Sequence, residues 1–321
     1  MTNGFEHQPV MVDEIVAQFA AVPSGWVLDA TLGGGGHAAR ILEAHKHLRI
    51  LGLDRDTDAL RAATARLQVF GDRIVTTAMR FDLLEHAMEA FSIPELSGAL
   101  FDLGVSSPQL DRAERGFSYR NTAPLDMRMD QSEPWTAADI VNGYDEPSLA
   151  RVLRQHGDER FATRIAKAIV AARPIQTTTE LAEVVVSAIP AAARRTGGHP
   201  AKRTFQALRI ELNKELEVLP AALDAAIART ATGGRIAVLS YHSGEDRIVK
   251  DRMRFAATGG CACPPELPCV CDAVQIVRLV RGIPRTPSAA EEAQNPRARS
   301  ARLRVVERIS PTRRGDHGGR R

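Results

Sequence analysis

Between Val27 and His37 the sequence reads Val-Leu-Asp-Ala-Thr-Leu-Gly-Gly-Gly-Gly-His, and few folds accommodate such a string. An apolar pair runs into Asp29 and then into four glycines, with Ala38-Ala-Arg-Ile-Leu42 behind them. The pattern predicts a buried strand turning sharply into a helix, where missing Cβ atoms let a ligand lie against backbone. The next apolar run, Ile50-Leu-Gly-Leu53, ends in Asp54. An acid at the tip of the second strand of a doubly wound sheet is placed to hold a pair of ribose hydroxyls. A ribose-bearing ligand is therefore expected at this turn.

The flanking sequence repeats the strand–helix rhythm. Apolar residues at Val12, Ile15, Val16 and Phe19 mark one face of a leading helix. Strands are expected at 27–30, 50–53, 73–77 and 98–102, alternating with helices at 36–44, 57–68 and 83–90. Such alternation predicts a parallel sheet whose ligands gather at the carboxyl ends of the strands. Asp29, Asp54, Phe81-Asp82 and Asp102 all fall at or just beyond such ends.

After Asp102 the rhythm stops. Leu103 to Arg128 reads as a long loop, and helices without strands follow at about 147–155, 159–172 with Asp158 as N-cap, 177–189, 204–219 and 220–231. Thr177-Thr-Thr-Glu180 has the spacing of a capping box. The sheet resumes at 233–240, a helix follows at 245–254, and 275–281 with 301–309 alternate like a hairpin. The expected organisation is a discontinuous α/β domain, 1–112 and 216–310, an inserted all-helical domain at 113–215 for substrate recognition, and a disordered basic tail at 311–321.

At 321 residues the chain has ample material for a core, and 44% hydrophobic with 25% charged residues fits an ordinary globular protein. No apolar run approaches the ~20 residues of a membrane span. The N-terminus has neither a basic start nor an apolar signal core, so the expectation is a cytoplasmic protein with no membrane partner. A homodimer is compatible with the sequence.

The net charge of +3 is unevenly spread. Arg194, Arg195, Lys202, Arg203 and Arg209 occur with no acid between Pro190 and Ile210, and nine arginines lie between Arg297 and Arg321. Such patches point to a polyanion, although the tail alone also reads as a solvated segment. All four cysteines sit together as Cys261-Ala-Cys263 and Cys269-Val-Cys271. They read either as a thiolate zinc site or as a reduced, metal-free loop.

Which ribose ligand the turn takes is decided by its surroundings. A dinucleotide fold spaces its glycines G-x-G-x-x-G so that a pyrophosphate sits on a helix N-terminus. Here Gly33 and Gly35 fit, but the third position is Ala38. S-adenosylmethionine has no phosphate, and its sulfonium and ammonium cations favour carboxylates like those at the four strand ends. The closing hairpin also suits a methyltransferase sheet.

Longer strings carry a family likeness. Asp29-Ala-Thr-Leu-Gly-Gly-Gly-Gly-His37, Leu53-Asp-Arg-Asp56, Phe101-Asp-Leu-Gly-Val-Ser-Ser-Pro-Gln-Leu-Asp111, Arg115-Gly-Phe-Ser-Tyr119, Pro124-Leu-Asp-Met-Arg128 and Lys202-Arg-Thr-Phe-Gln-Ala-Leu-Arg209 are part of it. Ser240-Tyr-His-Ser-Gly-Glu-Asp-Arg-Ile-Val-Lys250 and Asn295-Pro-Arg-Ala-Arg-Ser-Ala-Arg-Leu-Arg304 complete the set. Together they resemble the MraW/RsmH family of bacterial methyltransferases, over about residues 7 to 309. The resemblance implies a class I S-adenosylmethionine-dependent methyltransferase fold, Rossmann-like. The implied activity is methyl transfer to the exocyclic N4 of one cytidine in 16S ribosomal RNA of the small subunit. It further implies that Gly35, Gly36 and His37 line the cofactor pocket, Asp54 holds the ribose, Phe81 lies by the adenine, and Asp102 and Gln109 complete the site.

Cytosine N4 is a poor nucleophile, because its lone pair is delocalised into the ring. Acceptors aimed at the amino hydrogens would help it, and Asp102, Ser106 and Ser107 are the candidates, with Asp102 the catalytic choice. The loop reads Asp102-Leu-Gly-Val where other N4-cytosine methyltransferases often carry Asp-Pro-Pro-Tyr, so an aromatic partner for the base is sought at Phe117, Tyr119 or Tyr241. Tyr241 and His242 close the resumed strand and are expected on the substrate side, while Lys202 and Arg203 are expected to dock the RNA backbone.

Overall fold

The computed structural model describes residues 9–195, 198–264 and 270–313, and divides into two compact units, Met1–Gly104 with Val218–Arg321, and Val105–Glu217. The expected insertion began at 113; the second unit instead begins at Val105, directly after the fourth strand.

In the first unit α1 (Val12–Gln18) leads into β1 (Gly25–Asp29), α2 (Gly36–Ala44), β2 (Leu48–Asp54), α3 (Thr57–Leu67), β3 (Ile74–Ala78), α4 (Leu84–Ala90) and β4 (Leu96–Asp102). The second unit carries α5 (Ser107–Asp111), α6 (Ala137–Gly143), α7 (Glu146–Gly157), α8 (Ala162–Ala172), α9 (Thr178–Ala188) and α10 (Lys202–Asn213). The chain then returns through α11 (Glu215–Arg229), β5 (Thr230–Ser240), α12 (Ser243–Thr258), β6 (Val274–Leu279), α13 (Ala289–Gln294) and β7 (Arg302–Arg313).

The sheet order is β3-β2-β1-β4-β5-β7-β6. The first five strands run parallel, and β7 is antiparallel to both β5 and β6. This is the class I methyltransferase arrangement. Successive strand residues feed opposite faces, as the two-residue period requires. Val27, Ile50 and Leu100 pack with α1, α2 and α3, whereas Leu28, Leu51 and Phe101 pack with α4, α11 and α12. Both faces are therefore covered, and the inner strands read as continuous apolar runs.

The second unit has its own core, in which Leu149, Val152, Ile165, Ile169, Leu181 and Leu208 are buried. α9 starts at the Thr177 capping box, with Glu180 accepting from the Thr177 amide. Asp158 does not cap the next helix. It adopts φ 47° at the C-terminus of α7, and α8 starts only at Ala162. The reason is local: the last carbonyls of α7 need donors, and the Glu159 amide turns back onto Leu153 O at 3.2 Å. The break expected at Pro220 falls instead at Lys214, with φ 53°, and α11 runs on through the proline. Residues 311–313 are not tail but strand, because Thr312 and Arg313 pair with Gln275 and Val274. The rest of the expected tail lies outside the described residues.

Candidate active site

Three strand ends are stitched together around the glycine turn. The Gly33 amide donates to Asp54 Oδ2 at 2.8 Å, and the Asp56 amide donates to Asp54 Oδ1 at 2.9 Å. Asp54 thus fixes the first strand–helix turn against the second. The Asp102 amide donates to Thr31 Oγ1 at 2.7 Å, while the Thr31 amide donates to Asp29 Oδ1 at 3.3 Å. Thr31, which sequence reasoning passed over, joins the tips of β1 and β4. Its signal was a small hydroxyl two residues beyond a strand-end acid, too common a pairing to stand out.

The four glycines are not equivalent. Gly33 and Gly35 have positive φ, 51° and 73°, which only glycine adopts without strain. A Cβ on Gly35 would come within 2.9 Å of Leu67 Cδ1, and one on Gly36 within 2.6 Å of Pro9 Cγ. Those two glycines allow close packing of the protein on itself. A Cβ on Gly34 would meet nothing within 4 Å. A Cβ on Gly33 would meet only Thr31 O, at 3.9 Å, so the open side of the turn is at Gly33 and Gly34.

The acids around this turn differ in how far folding has already compensated them. Asp82 is half-buried, which raises its pKa, but the Arg80 guanidinium forks onto it and holds it below the ordinary value. Asp29 is 2% exposed, and burial pushes its pKa up to about 7, with His37 and the Thr31 amide opposing and Asp102 and Asp54 adding to the rise. Burial also raises Asp54, partly offset by the Asp56 and Gly33 amides. At Asp102 the Tyr241 hydroxyl donates to Oδ1 at 2.7 Å, and burial together with that carboxylate drives the phenol well above its usual pKa. His37 Nε2 stands 3.4 Å from Asp102 Oδ2 without forming a hydrogen bond, and both ring nitrogens of this buried histidine lack a partner.

The remaining predicted residues fall in several places. Phe81 packs edge-on against Phe101 with ring centroids 5.8 Å apart, just beyond β3. His242 caps α12: its Nδ1 accepts from the Glu245 amide at 3.4 Å, and Glu245 accepts from the Tyr241 amide at 2.7 Å. Glu245, 2% exposed, was missed by the sequence reading and sets the strand-to-helix turn after β5. Gln109 belongs to the second unit, where its Oε1 accepts from the Ser106 amide at 3.0 Å. The side chain of Ser107 lies outside the described part. Phe117 is buried in the helical core, and Tyr119 stacks on His199 with centroids 4.3 Å apart.

The basic patch is partly consumed by structure. Arg203 Nη1 donates to Asp158 O at the end of α7, Arg194 Nε donates to Ile189 O at the end of α9, and Arg209 pairs with Glu215. The Arg195 side chain lies outside the described part, and Lys202 is exposed. Cys261, Cys263 and Cys271 converge in one loop, and Cys269 lies outside the described residues.

A family model described as the MraW methylase family matches residues 4–309. The chain belongs to the MraW methylase family. It is 51% identical over 316 residues to a protein named Ribosomal RNA small subunit methyltransferase H from Mycobacterium sp. (strain KMS), covering 95% of this chain and 84% of that one. A protein of the same name from Thermobifida fusca is 52% identical over 309 residues, 94% of this chain and 93% of its own. Another from Symbiobacterium thermophilum is 48% identical over 311 residues, 95% and 97% respectively. The methyl donor of an MraW-family methylase is S-adenosylmethionine. Among the described residues no helix is long and apolar enough to cross a membrane.

Proposed function

We propose that this chain transfers a methyl group from S-adenosylmethionine to the exocyclic N4 of one cytidine in 16S ribosomal RNA of the small subunit, in the cytoplasm. The observation that carries the reading is identity of about half across nearly the whole chain to proteins named for that RNA. The first unit fits the cofactor on its own chemistry. The turn is open at Gly34, the carboxylates of Asp29 and Asp54 are only partly compensated by backbone amides, and the ring nitrogens of His37 are buried without partners. Burial disfavours the charged form of Asp29, and a cation beside it would favour that form, which is how a sulfonium or ammonium group is favoured there.

When bound, S-adenosylmethionine supplies an electrophilic methyl on a cationic sulfur. The chain's own work is positioning. Asp54 has used one lone pair of each oxygen on backbone amides and keeps the outward ones for a ribose diol. The Gly33–His37 turn and Phe81 would bound the cofactor. Asp102 is assigned to accept from the cytosine amino group, so that the nitrogen lone pair is drawn out of conjugation. Tyr241 is the positioning residue, since its hydroxyl fixes one carboxylate oxygen and leaves the other free to aim. The target base must be unpaired or splayed out to reach such a site. Lys202 would contact RNA phosphate.

The deciding experiment is methyl transfer from labelled S-adenosylmethionine to small-subunit particles that lack the modification, followed by nucleoside mass analysis. N4-methylcytidine at one position is expected. Labelled product at any other atom, or none, overturns the reading.

A further inference from the structure

At the opposite end of the sheet from the glycine turn lies a feature that methyl transfer does not use. β5 ends at the Asp102 side, α12 returns along the sheet, and β6 starts afresh at Val274, running parallel to β5. The excursion between α12 and β6 therefore sits at the amino-terminal edge of the parallel strands. Two consecutive left-handed glycines, Gly259 and Gly260, turn the chain out of α12, with φ 61° and 72°. Its ends are pinned together: a Cβ on Gly259 would lie 2.4 Å from the Val274 amide nitrogen. The described residues of the excursion form neither helix nor strand, and Val270 is 86% exposed. With no regular structure among its described residues and only Ala273 of them buried and apolar, the loop needs some other source of order.

Within it the sulfurs of Cys261, Cys263 and Cys271 all lie within 4.8 Å of one another. Tetrahedral zinc with Zn–S bonds of about 2.3 Å requires sulfurs about 3.8 Å apart, so closing onto an ion takes a movement of about 1 Å. We propose that these three thiols bind a structural zinc ion that orders the excursion between α12 and β6. Three sulfur donors select a soft, tetrahedral ion over magnesium or calcium, which take oxygen ligands. Binding would release three thiol protons to solvent and form three zinc–thiolate bonds, with no change of oxidation state. Tetrahedral zinc takes a fourth donor; Cys269 completes the sequence pattern but lies outside the described residues, and the proposal rests on the other three. The position, at the far end of the sheet from Asp54 and Asp102, makes the ion structural rather than catalytic.

The test uses the full chain, purified under reducing, chelator-free conditions from zinc-supplemented cells. Elemental analysis is expected to find about one zinc per chain, and Co(II) exchange to give a thiolate charge-transfer band with tetrahedral d–d absorption. The Cys263→Ser, Cys271→Ser double variant should retain less than about a tenth of the zinc. Should that variant fail to fold, chelation of the wild-type protein reads the same point. Amide exchange in 260–264 and 270–273 should then rise about tenfold, while exchange in 30–37 and S-adenosylmethionine affinity stay unchanged. Zinc-free protein that gives no tetrahedral thiolate spectrum with added Zn(II) or Co(II) overturns the site. So does an iron–sulfur chromophore in place of zinc, or zinc content unaffected by the two substitutions.

Discussion

Each unit contains a histidine beside a carboxylate with a tyrosine hydroxyl on the same acid, His37 buried and His156 half-buried, and the two sets are finished differently. In the helical unit His156 Nε2 lies 3.0 Å from Glu211 Oε2, and Tyr144 donates to Oε1 at 3.2 Å. Those hydrogen bonds, His156 first, hold the Glu211 carboxyl below its ordinary pKa. In the sheet unit Tyr241 reaches Asp102 at 2.7 Å, but His37 stops at 3.4 Å with both ring nitrogens unpaired, and Asp29 behind it is raised to about 7. In the first set folding pairs both carboxylate oxygens and one histidine nitrogen, leaving only His156 Nδ1 without a partner, and so ties α7 to α10. The second retains polar capacity that a ligand can use, because leaving buried groups unpaired costs free energy that binding can recover. The same residue types therefore serve the scaffold in one place and the proposed site in the other, and only their geometry separates the two.

The largest effect should come from breaking the unfinished set at its centre. Asp102→Ala is expected to lower single-turnover methyl transfer by about 100-fold or more, the scale seen when one preorganised electrostatic contact is removed. Tyr241→Phe should lower it less, by about tenfold, because it frees rather than removes the carboxylate. Cofactor affinity measured by calorimetry separates the roles. If both variants lose cofactor affinity in proportion to rate, Asp102 is a binding residue and the assignment to the cytosine amino group fails.

A pH series sharpens the contrast, since the two units should titrate with opposite sign. Asp29 has a folded pKa of about 7 against an unfolded value near 3.8, so the folded protein binds the extra proton. Its contribution to stability is full below pH 4 and is lost as pH rises toward 7, on the order of a few kcal/mol in the ligand-free protein. Asp29→Asn should flatten that segment of the stability curve in chemical denaturation, and an unchanged slope would mean that Asp29 is charged throughout. Glu211 runs the other way. Its lowered pKa stabilises at neutral pH and the contribution is lost on acidification below its unfolded value, near 4.5. Glu211→Gln should cost about 1–2 kcal/mol at pH 7 and little at pH 3. Equal costs at both pH values would remove the distinction between the two sets.

What the sequence disclosed follows the same division. The alternation of Val27-Leu28, Ile50-Leu51 and Leu100-Phe101 is legible because a strand buried on both faces must be apolar at every step. The turn and Asp54 are legible because a run of glycines followed by a strand-tip acid suits few structures besides a ligand-binding turn. Asp158 misled because an aspartate before a helical run is an N-cap on local grounds, and only the demand of α7 for donors reverses that. Arg194 and Arg203 read as a phosphate-binding patch because charge is visible in sequence while the helix ends that consume it are not. Gly34 could not be told from Gly35 or Gly36, since their difference lies in Leu67 and Pro9, residues far along the chain or behind it.

The smallest effect tests the confusion between a free cation and a consumed one. Lys202 and Arg203 are both exposed, but the Arg203 guanidinium also donates to a carbonyl at the end of α7. Lys202→Glu should weaken RNA binding severalfold at low salt, reduce the dependence of log K on log salt by about one, and leave thermal stability unchanged. Arg203→Glu should instead lower the unfolding temperature by a few degrees, because it removes a donor from the α7 terminus and puts an acid beside the negative end of the helix dipole. Cofactor affinity should be untouched in both. If Arg203→Glu weakens RNA binding as much as Lys202→Glu at constant stability, then the helix-end contact is not its role, and a hydrogen bond to a carbonyl does not keep a cation from phosphate.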